Sequence, residues 1–116
     1  MTSISGTLLK FVDPLLAELD YPDPRKPEFD SVVKIGWTVW NAVVKNDVEG
    51  DPSFLRNLKE IVPAPFSLMT GMLIERKRKL FAKELFLIGN YEVRCKTDGS
   101  FTLYADARET KAARLH

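Results

Sequence analysis

Four consecutive cations, Arg76, Lys77, Arg78 and Lys79, are the residues whose type and spacing most readily suggest a chemical role. A basic run can neutralise the phosphates of a nucleic acid. The same run is typical of a solvated helical face, where Glu75 and Lys79 would form an ion pair at the favourable i,i+4 spacing. We favour the solvated face, because short basic runs are weak evidence of nucleic-acid binding. Other cations that could extend a phosphate-binding patch are Lys83, Arg94, Lys96 and Arg108.

Arg76 differs from its neighbours because the helical period places it on an apolar stripe, on the same side as Leu73 and Leu80. A partly buried guanidinium needs an oxygen partner. Arg76 is therefore expected to reach past the edge of the core, to form a structural ion pair or to contact a ligand. We favour the structural pair, since buried charges are normally paired. On the same wheel Arg78 points to solvent and Lys77 lies near the edge of the stripe.

Trp37 and Trp40 lie about one helical turn apart. We expect both to pack in the core, and the alternative is the wall of an interface or of a ligand pocket. A second group of aromatic residues surrounds the C-terminal segment, and most of them are also expected in the core. Tyr104 is the exception, because it falls on the polar face beside Arg94, but no RNP1-like string supports RNA binding there. This second group consists of Phe81, Phe86, Tyr91, Phe101 and Tyr104.

Patterns typical of catalysis and metal binding are weak in this sequence. The only histidine, His116, is the last residue, and Cys95 occupies an apolar strand position expected in the core. Asp47, Glu49 and Asp51 alternate as calcium ligands do, but the later ligands of an EF-hand are missing. No glycine-rich phosphate-binding motif is present. We therefore predict no catalytic residue, no metal site and no cofactor; a hydrolase relying on carboxylates is the third hypothesis and has no positive support.

Length and composition are typical of one soluble globular domain. The chain has 116 residues, 45% hydrophobic and 28% charged, which is enough for a single core without disulfides or metals. Before residue 70 there are seven Lys/Arg against ten Asp/Glu, and after it ten against six. This asymmetry is small and the pI is ≈ 7.8, whereas nucleic-acid-binding domains often exceed about 9. A nucleic-acid partner is therefore the weaker hypothesis.

The sequence also predicts a cytoplasmic protein. A single cysteine cannot form an internal disulfide, which favours a reducing compartment. The opening segment "MTSISGTLLKFVD" lacks the basic region of a signal peptide. The longest uncharged run, "IVPAPFSLMTGMLI", is shorter than the roughly 20 apolar residues of a membrane-spanning helix. We expect no membrane association.

Apolar periodicity predicts helices over the first 82 residues. The first spans about residues 4–19, and Pro14 either kinks it or begins a second segment with Asp13 as N-cap. The second, about Pro27 to Asn46, is apolar over more than half of its circumference and should be central, or should offer its spare face to another subunit. Asp51 is expected to start a short helix with Phe54, Leu55, Leu58 and Ile61 inward. The last helix is predicted over about Pro65 to Ala82, with Phe66 on its apolar stripe.

After residue 85 the apolar period changes to two, which predicts a β-hairpin. A two-residue Asp98-Gly99 turn would set charged residues opposite apolar ones on the same face. A three-residue loop with Gly99 in the left-handed conformation instead pairs Cys95 with Phe101, and this register is our prediction. The same register makes two further pairs, Val93 with Leu103 and Tyr91 with Ala105.

Together these patterns predict an α+β domain spanning residues 1–116, with three or four helices packed against a C-terminal antiparallel β-hairpin. The helical part covers about 4–82 and the hairpin about 85–107, followed by a frayed tail over 108–116. The favoured function is a non-enzymatic protein-interaction or regulatory module, either a homodimer or a binder of another protein, because the second helix and "LFLIG" offer spare apolar surface. The alternative is nucleic-acid binding through the basic run and the cationic face of the hairpin. The candidate interaction residues are Trp37, Trp40, Arg76, Lys77, Arg78, Lys79, Arg94 and Tyr104.

Overall fold

The computed structural model describes residues 4–62, 67–98, 100–108 and 110. These residues form an α+β fold in which the helices precede a two-stranded antiparallel hairpin, as predicted. No helix in the described part of the chain is long and apolar enough to span a membrane. The elements are α1 (Ile4–Glu18), α2 (Pro27–Asp47), α3 (Ser53–Arg56), α4 (Leu58–Ile61), α5 (Ser67–Leu80), β1 (Leu87–Cys95) and β2 (Phe101–Arg108).

Helix α1 continues through Pro14 without interruption, so Asp13 does not begin a second segment. Its buried side contains Leu8, Phe11 and Leu15, which recur at the helical spacing. Because a proline has no N–H, it removes the helical hydrogen bond to the carbonyl four residues earlier, that of Lys10. The polar partner that replaces this bond comes from α5 and is described below.

Helix α2 is the centre of the fold. It packs against α1, α3, α5 and β1, and its buried residues extend from Phe29 to Val44. A Cβ atom at Gly36 would lie 2.0 Å from Cγ1 of Val12, so a larger residue there would require Val12 or the helices to shift. The wide apolar surface of α2 is thus covered within one chain. It does not by itself require a second subunit.

The region after α2 differs from the prediction of one short helix. The chain makes two single turns, α3 and α4, separated at Asn57, whose ψ of 2° departs from helical geometry. Leu58 is buried as expected, but the prediction for Phe54 is wrong, because its side chain is exposed. The single turn of α3 leaves Phe54 lying outward beside Lys45. Pro65 and Phe66, predicted to begin the last helix, lie outside the described residues.

The predicted hairpin register is confirmed. Cys95 pairs with Phe101, and the ladder continues through the expected pairs to Tyr91 and Ala105. Nearer the start of β1 the pairing shifts, so that Gly89 and Asn90 together lie opposite one residue of β2. This is a β-bulge, which the alternation did not reveal. Gly99, assigned to the turn, lies outside the described residues.

Contacts outside the strand ladder hold the hairpin at its open end and on α1. Beyond β2, Thr110 is buried and donates a hydrogen bond of 2.6 Å to the carbonyl of Leu85. On the other side the N–H of Ala105 donates to the hydroxyl of Ser5 on α1 at 3.2 Å. Residue 109 and residues 111–116, which include His116, lie outside the described part of the chain, so the prediction of a frayed tail is untested for them.

Candidate functional site

Side chains of α2 cap the edge of β1 where a third strand would otherwise pair. Trp40 Nε1 donates to the carbonyl of Phe86 at 3.0 Å, and Trp37 Nε1 donates to that of Ile88 at 2.7 Å. Asn41 bonds both backbone groups of Ile88, at 2.8 Å each. The two tryptophans are therefore hydrogen-bonded supports of the sheet. Trp40 is fully buried and cannot contact a partner, whereas Trp37 is half-buried.

A pocket with a volume of about 360 Å³ opens between α2, α3 and the ends of β1 and β2 that are remote from the turn. Its walls are mainly apolar, and one face of Trp37 forms part of them. The volume lies near the lower limit of ligand-binding cavities. The lining residues are Trp37, Thr38, Asn41, Ala42, Lys45, Phe54, Leu87, Ile88, Gly89 and Arg108.

The polar atoms in the walls of this pocket are already hydrogen-bonded within the protein. The amide of Asn41 and the indole N–H of Trp37 are used by Ile88. The hydroxyl of Thr38 donates to the carbonyl of Lys34 at 2.8 Å. An occupant of the interior would find few free polar partners. The group that fits best there is therefore apolar.

Two cations lie at the rim of the pocket. Lys45 forms an i,i+4 ion pair with Glu49 at 3.0 Å, and its ammonium lies 5.9 Å from the centre of the Phe54 ring. Arg108 is exposed and lies across Gly89, where a Cβ atom would come within 2.8 Å of its Nε. In the described part of the chain its guanidinium has neither a hydrogen-bonded nor an ion-paired partner. This exposed guanidinium is accessible from solvent, and the carboxylate of Asp106 lies beside the same Gly89 position.

The partner of Arg76 is the backbone of α1. Its Nη2 donates to the carbonyl of Lys10 at 2.7 Å, and its Nε donates to that of Phe11 at 3.2 Å. The guanidinium also lies 5.7 Å from the centre of the Phe81 ring. The favoured ion pair is thus replaced by carbonyl oxygens. One of them is the oxygen that loses its helical donor at Pro14.

Lys77 was expected near the edge of the apolar stripe, and its side chain is buried there. It is only 4% exposed, and its ammonium donates to the carbonyls of Phe81 at 2.7 Å and Glu84 at 3.0 Å. It also lies 4.5 Å from the centre of the Trp40 ring. Burial lowers the pKa of Lys77 to about 8, against the attraction of Glu84 and Asp47. Lys77 ties the end of α5 to the chain leading into β1.

The other two cations of the basic run also have partners within the chain. Arg78 makes two hydrogen bonds to the carboxylate of Asp47, at 2.8 and 2.9 Å, and Lys79 pairs with Glu75 as expected. Asp47 has a lowered pKa, chiefly because of its hydrogen bond from Arg78. The four cations from Arg76 to Lys79 thus have separate partners. They do not form one free patch for phosphates.

On the outer face of the hairpin the structure brings Arg94 and Tyr104 together. The guanidinium of Arg94 lies 4.7 Å from the centre of the Tyr104 ring and forms an ion pair of 3.1 Å with Glu92. The assignment of Cys95 to the core is wrong, because its thiol is exposed at the last position of β1. The helices cover the inner face of β1 only partly, since Val93 is half-buried.

In the described part of the chain no group of three or more His, Cys, Asp and Glu could hold a metal ion. The pocket walls hold no carboxylate, histidine or thiol. On β1, burial together with the nearby carboxylate of Asp30 raises the pKa of Tyr91 to about 12, so this phenol stays protonated at neutral pH. The side chains of the pocket present mainly apolar surfaces and two cations, which can make binding contacts.

Comparison of the chain with protein-family models, with curated proteins and with solved structures finds no match. Function is therefore inferred from the residues of the site. Sequence patterns found Trp37 but missed the other walls of the pocket, Asn41, Lys45 and Phe54. Arg108 was noted only as a cation extending a different patch. The signal that could have drawn attention to α2 is the short polar arc of Thr38, Asn41 and Lys45 at helical spacing.

Proposed function

We propose that this protein is a non-enzymatic interaction module that binds an acidic segment of a partner protein and inserts one large apolar side chain of that segment into the pocket beside Trp37. The observation that carries the proposal is an apolar cavity of about 360 Å³ with the guanidinium of Arg108 at its rim. Interfaces concentrate their binding energy in such anchors, in pockets that exclude water. Trp37 and Phe54 would flank the anchor.

The chemistry of the occupant follows from the walls and the rim. Because Asn41 and Trp37 already donate to Ile88, a polar group in the interior would be desolvated without gaining a hydrogen bond. A carboxylate beside the anchor would instead meet Arg108, since Lys45 is already ion-paired with Glu49. A guanidinium binds a carboxylate through two parallel hydrogen bonds, which adds direction to the attraction. An aromatic or leucine side chain flanked by Asp or Glu meets both requirements.

Selection from a random peptide library displayed on phage tests this proposal. The wild-type protein is used for capture, and the Phe54→Asp variant, which places a charge on the pocket wall, is used for counter-selection. Phe54 is 48% exposed, so the variant should remain folded. Enriched peptides are expected to share one large apolar residue with Asp or Glu close to it. Peptides without such an anchor would contradict the proposal.

The affinity of the best peptide is then measured by fluorescence anisotropy. Arg108→Glu is expected to weaken binding by about fivefold or more, because it replaces attraction by repulsion at the rim. Lys83→Glu makes the same change of charge at an exposed residue outside the pocket, and it should change the affinity by less than about twofold. Equal losses in the two variants would show that only the net charge matters, and would reject the pocket as the site.

We also propose that the protein works in the cytoplasm. The support is the thiol of Cys95, which is free and exposed at the end of β1. Exposed free thiols persist in reducing compartments and are oxidised readily outside them. Fractionation of cells that express the tagged protein tests the location, and recovery in a membrane or secreted fraction would contradict it.

A further inference from the structure

The hydrogen bonds of the hairpin define which backbone groups of β1 point away from β2. The N–H of Lys96 donates to the carbonyl of Ser100 at 2.8 Å, so the backbone groups of Lys96 point towards β2. Because this direction alternates along a strand, the backbone groups of Cys95 point away from β2. Farther along the hairpin, Ile88 uses its backbone for Asn41. The bulge adds one residue after Ile88, so the outward backbone groups beyond it belong to odd-numbered residues. The outward-pointing residues of β1 are therefore Ile88, Tyr91, Val93 and Cys95.

Only part of this outward edge is covered. Trp37, Trp40 and Asn41 satisfy the backbone at Phe86 and Ile88. For the outward backbone groups at Tyr91, Val93 and Cys95, the described residues supply no hydrogen-bond partner. Unpaired groups in a row along a strand edge are a template for another strand. The capped stretch ends where this open edge begins.

There is room for a strand along the open edge. A groove of about 840 Å³ lies beside it, lined by residues 24–27, Asp30, Tyr91–Val93 and Cys95. A neighbouring strand lies about 4.8 Å away and rises about 3.3 Å per residue. Five residues, from Tyr91 to Cys95, thus give a pairing length of about 16 Å.

We propose that the open edge of β1 binds the same edge of a second copy of this chain, forming a homodimer through an antiparallel β1–β1 pair centred on Val93. Around a two-fold axis at Val93, Tyr91 of each copy lies opposite Cys95 of the other. The two hairpins then make one continuous four-stranded sheet. This interface is separate from the pocket of the proposed function.

The side chains next to Val93 favour a second copy as the occupant. Glu92 and Arg94 carry opposite charges and lie on either side of the axis residue, on the outer face. Antiparallel pairing centred on Val93 sets each Glu92 opposite the other copy's Arg94. Opposite charges directly across a strand pair stabilise it, and like charges destabilise it. The edge is thus complementary to itself. An unrelated strand need not carry the charges that complement Glu92 and Arg94.

Light scattering and sedimentation velocity over a concentration series test the dimer. The mass is expected to rise reversibly from that of one chain, 13.2 kDa, towards twice that value. The single variants Glu92→Arg and Arg94→Glu place like charges across the pair and should weaken association about tenfold or more. The double variant restores opposite charges and should dimerise as the wild type does. A mass of one chain at every concentration would overturn the proposal.

Val93→Pro blocks the edge in a second way. The N–H of Val93 points away from β2, so its loss leaves the internal ladder intact while it removes the central donor. The variant should keep its circular dichroism spectrum and remain monomeric. Thr102→Pro cannot serve as a control for this variant. Thr102 pairs with Arg94 inside the hairpin, so a proline there would disrupt the hairpin itself. Unchanged association of folded Val93→Pro would reject this interface.

Disulfide trapping locates the axis. In a Cys95→Ser background, Val93→Cys puts two thiols directly opposite each other, and oxidation should give a covalent dimer. Thr102→Cys lies on β2, away from the proposed axis, and it should give much less covalent dimer in the same background. Equal trapping at both positions would indicate random collision and would contradict the two-fold pairing. The dimer measurements use variants of β1, whereas the peptide-binding measurements use Phe54→Asp and Arg108→Glu in the pocket. The dimer proposal and the proposed function can therefore fail separately.

Discussion

Pro14 on α1 and Arg76 on α5 act on one oxygen atom, the carbonyl oxygen of Lys10. Pro14 has no N–H to donate to this carbonyl, and Arg76 Nη2 donates to it instead at 2.7 Å. The guanidinium therefore performs the role of the missing helical bond, and it joins α5 to α1 by a charge-assisted contact. A cation that looked out of place on an apolar stripe is explained by a proline 62 positions earlier.

The coupling of these two residues is testable by a double-mutant cycle. Arg76→Met is expected to lower the free energy of unfolding by about 1–3 kcal/mol, because the charged hydrogen bonds to the carbonyls of Lys10 and Phe11 are lost. In a Pro14→Ala background the loss should be smaller, since the backbone N–H of the introduced alanine can donate to the same carbonyl. Urea unfolding of the four proteins measures the coupling. Additive changes in free energy would contradict the shared-oxygen explanation.

Close approach of α1 and α2 at Gly36 predicts a second difference in stability. Gly36→Ala would place a Cβ atom 2.0 Å from Cγ1 of Val12, and the resulting overpacking is expected to cost about 1–3 kcal/mol. Gly71→Ala is the matched control on α5, because no atom of the described residues outside its own helix backbone and chain neighbours lies within 4 Å of the added Cβ. This variant should gain about 0.5–1 kcal/mol from helix propensity. Thermal unfolding of both variants measures the contrast.

If the cost of Gly36→Ala arises from Val12, shortening that side chain should relieve it. The double variant Gly36→Ala/Val12→Ala is expected to be less destabilised than the sum of the two single changes. A Gly36→Ala protein as stable as the wild type would mean that α1 can move away from α2 at little cost. The interhelical distance would then not require glycine.

Much of the fold could be predicted from periodicity, because each element has one face to bury. The hairpin register is the clearest case, since a slip would set charged residues opposite Phe101 and Leu103 on the inner face. The bulge at Gly89 and Asn90 could not be predicted. At the bulge the N–H of Asn90 donates to the carboxylate of Asp106 at 2.6 Å, and no local pattern encodes that contact.

The pocket could not be predicted either, because its walls meet only in the folded chain. Asn41 and Ile88 are 47 positions apart. Phe54 was assigned to the core from its helical spacing. Helix α3 ends after a single turn, at Arg56, so the helical spacing does not continue beyond it. The burial of Lys77 was not predicted, because a helical wheel describes only directions around one helix. It does not reveal that the carbonyls of Phe81 and Glu84 fold back to receive the ammonium.

The buried ammonium of Lys77 predicts a pH dependence of stability. The pKa of Lys77 is about 8 in the folded protein, against the ordinary lysine value of 10.5 that applies to the unfolded chain. Between these values the unfolded chain binds more protons than the folded one, so Lys77 makes stability rise as pH increases. The free energy of unfolding of the wild type, relative to Lys77→Met, should therefore increase by about 2–3 kcal/mol from pH 7 to pH 10.

The measurement is urea unfolding of both proteins at several pH values, and the difference between them cancels most other titrations. Lys79→Met is the control, because Lys79 is exposed and pairs with Glu75 on the surface. Over the same pH range its difference from the wild type should change much less than that of Lys77→Met, because exposed ion pairs contribute little to stability. A difference for Lys77→Met that is flat or falls with pH would show that the folded protein does not depress the pKa of this lysine.

Trp37 and Trp40 should differ in how much their N–H groups contribute to stability. Both donate to the edge of β1, but the carbonyl of Ile88 keeps Asn41 as a second donor when Trp37 is replaced. The carbonyl of Phe86 has only Trp40 as its donor among the described residues. Loss of a sole partner costs the full desolvation of the acceptor, whereas loss of one of two partners costs less.

Trp40→Phe is therefore expected to lower the free energy of unfolding by about 2–4 kcal/mol, and Trp37→Phe by about 1 kcal/mol. Part of the difference comes from packing, since Trp40 is fully buried and Trp37 is not. Amide hydrogen exchange separates the two contributions. Trp40→Phe should speed exchange in β1, because the edge capped at Phe86 would open more often, and Trp37→Phe should leave most of that protection in place. Equal exchange in the two variants would mean that the tryptophan N–H groups do not hold the sheet edge.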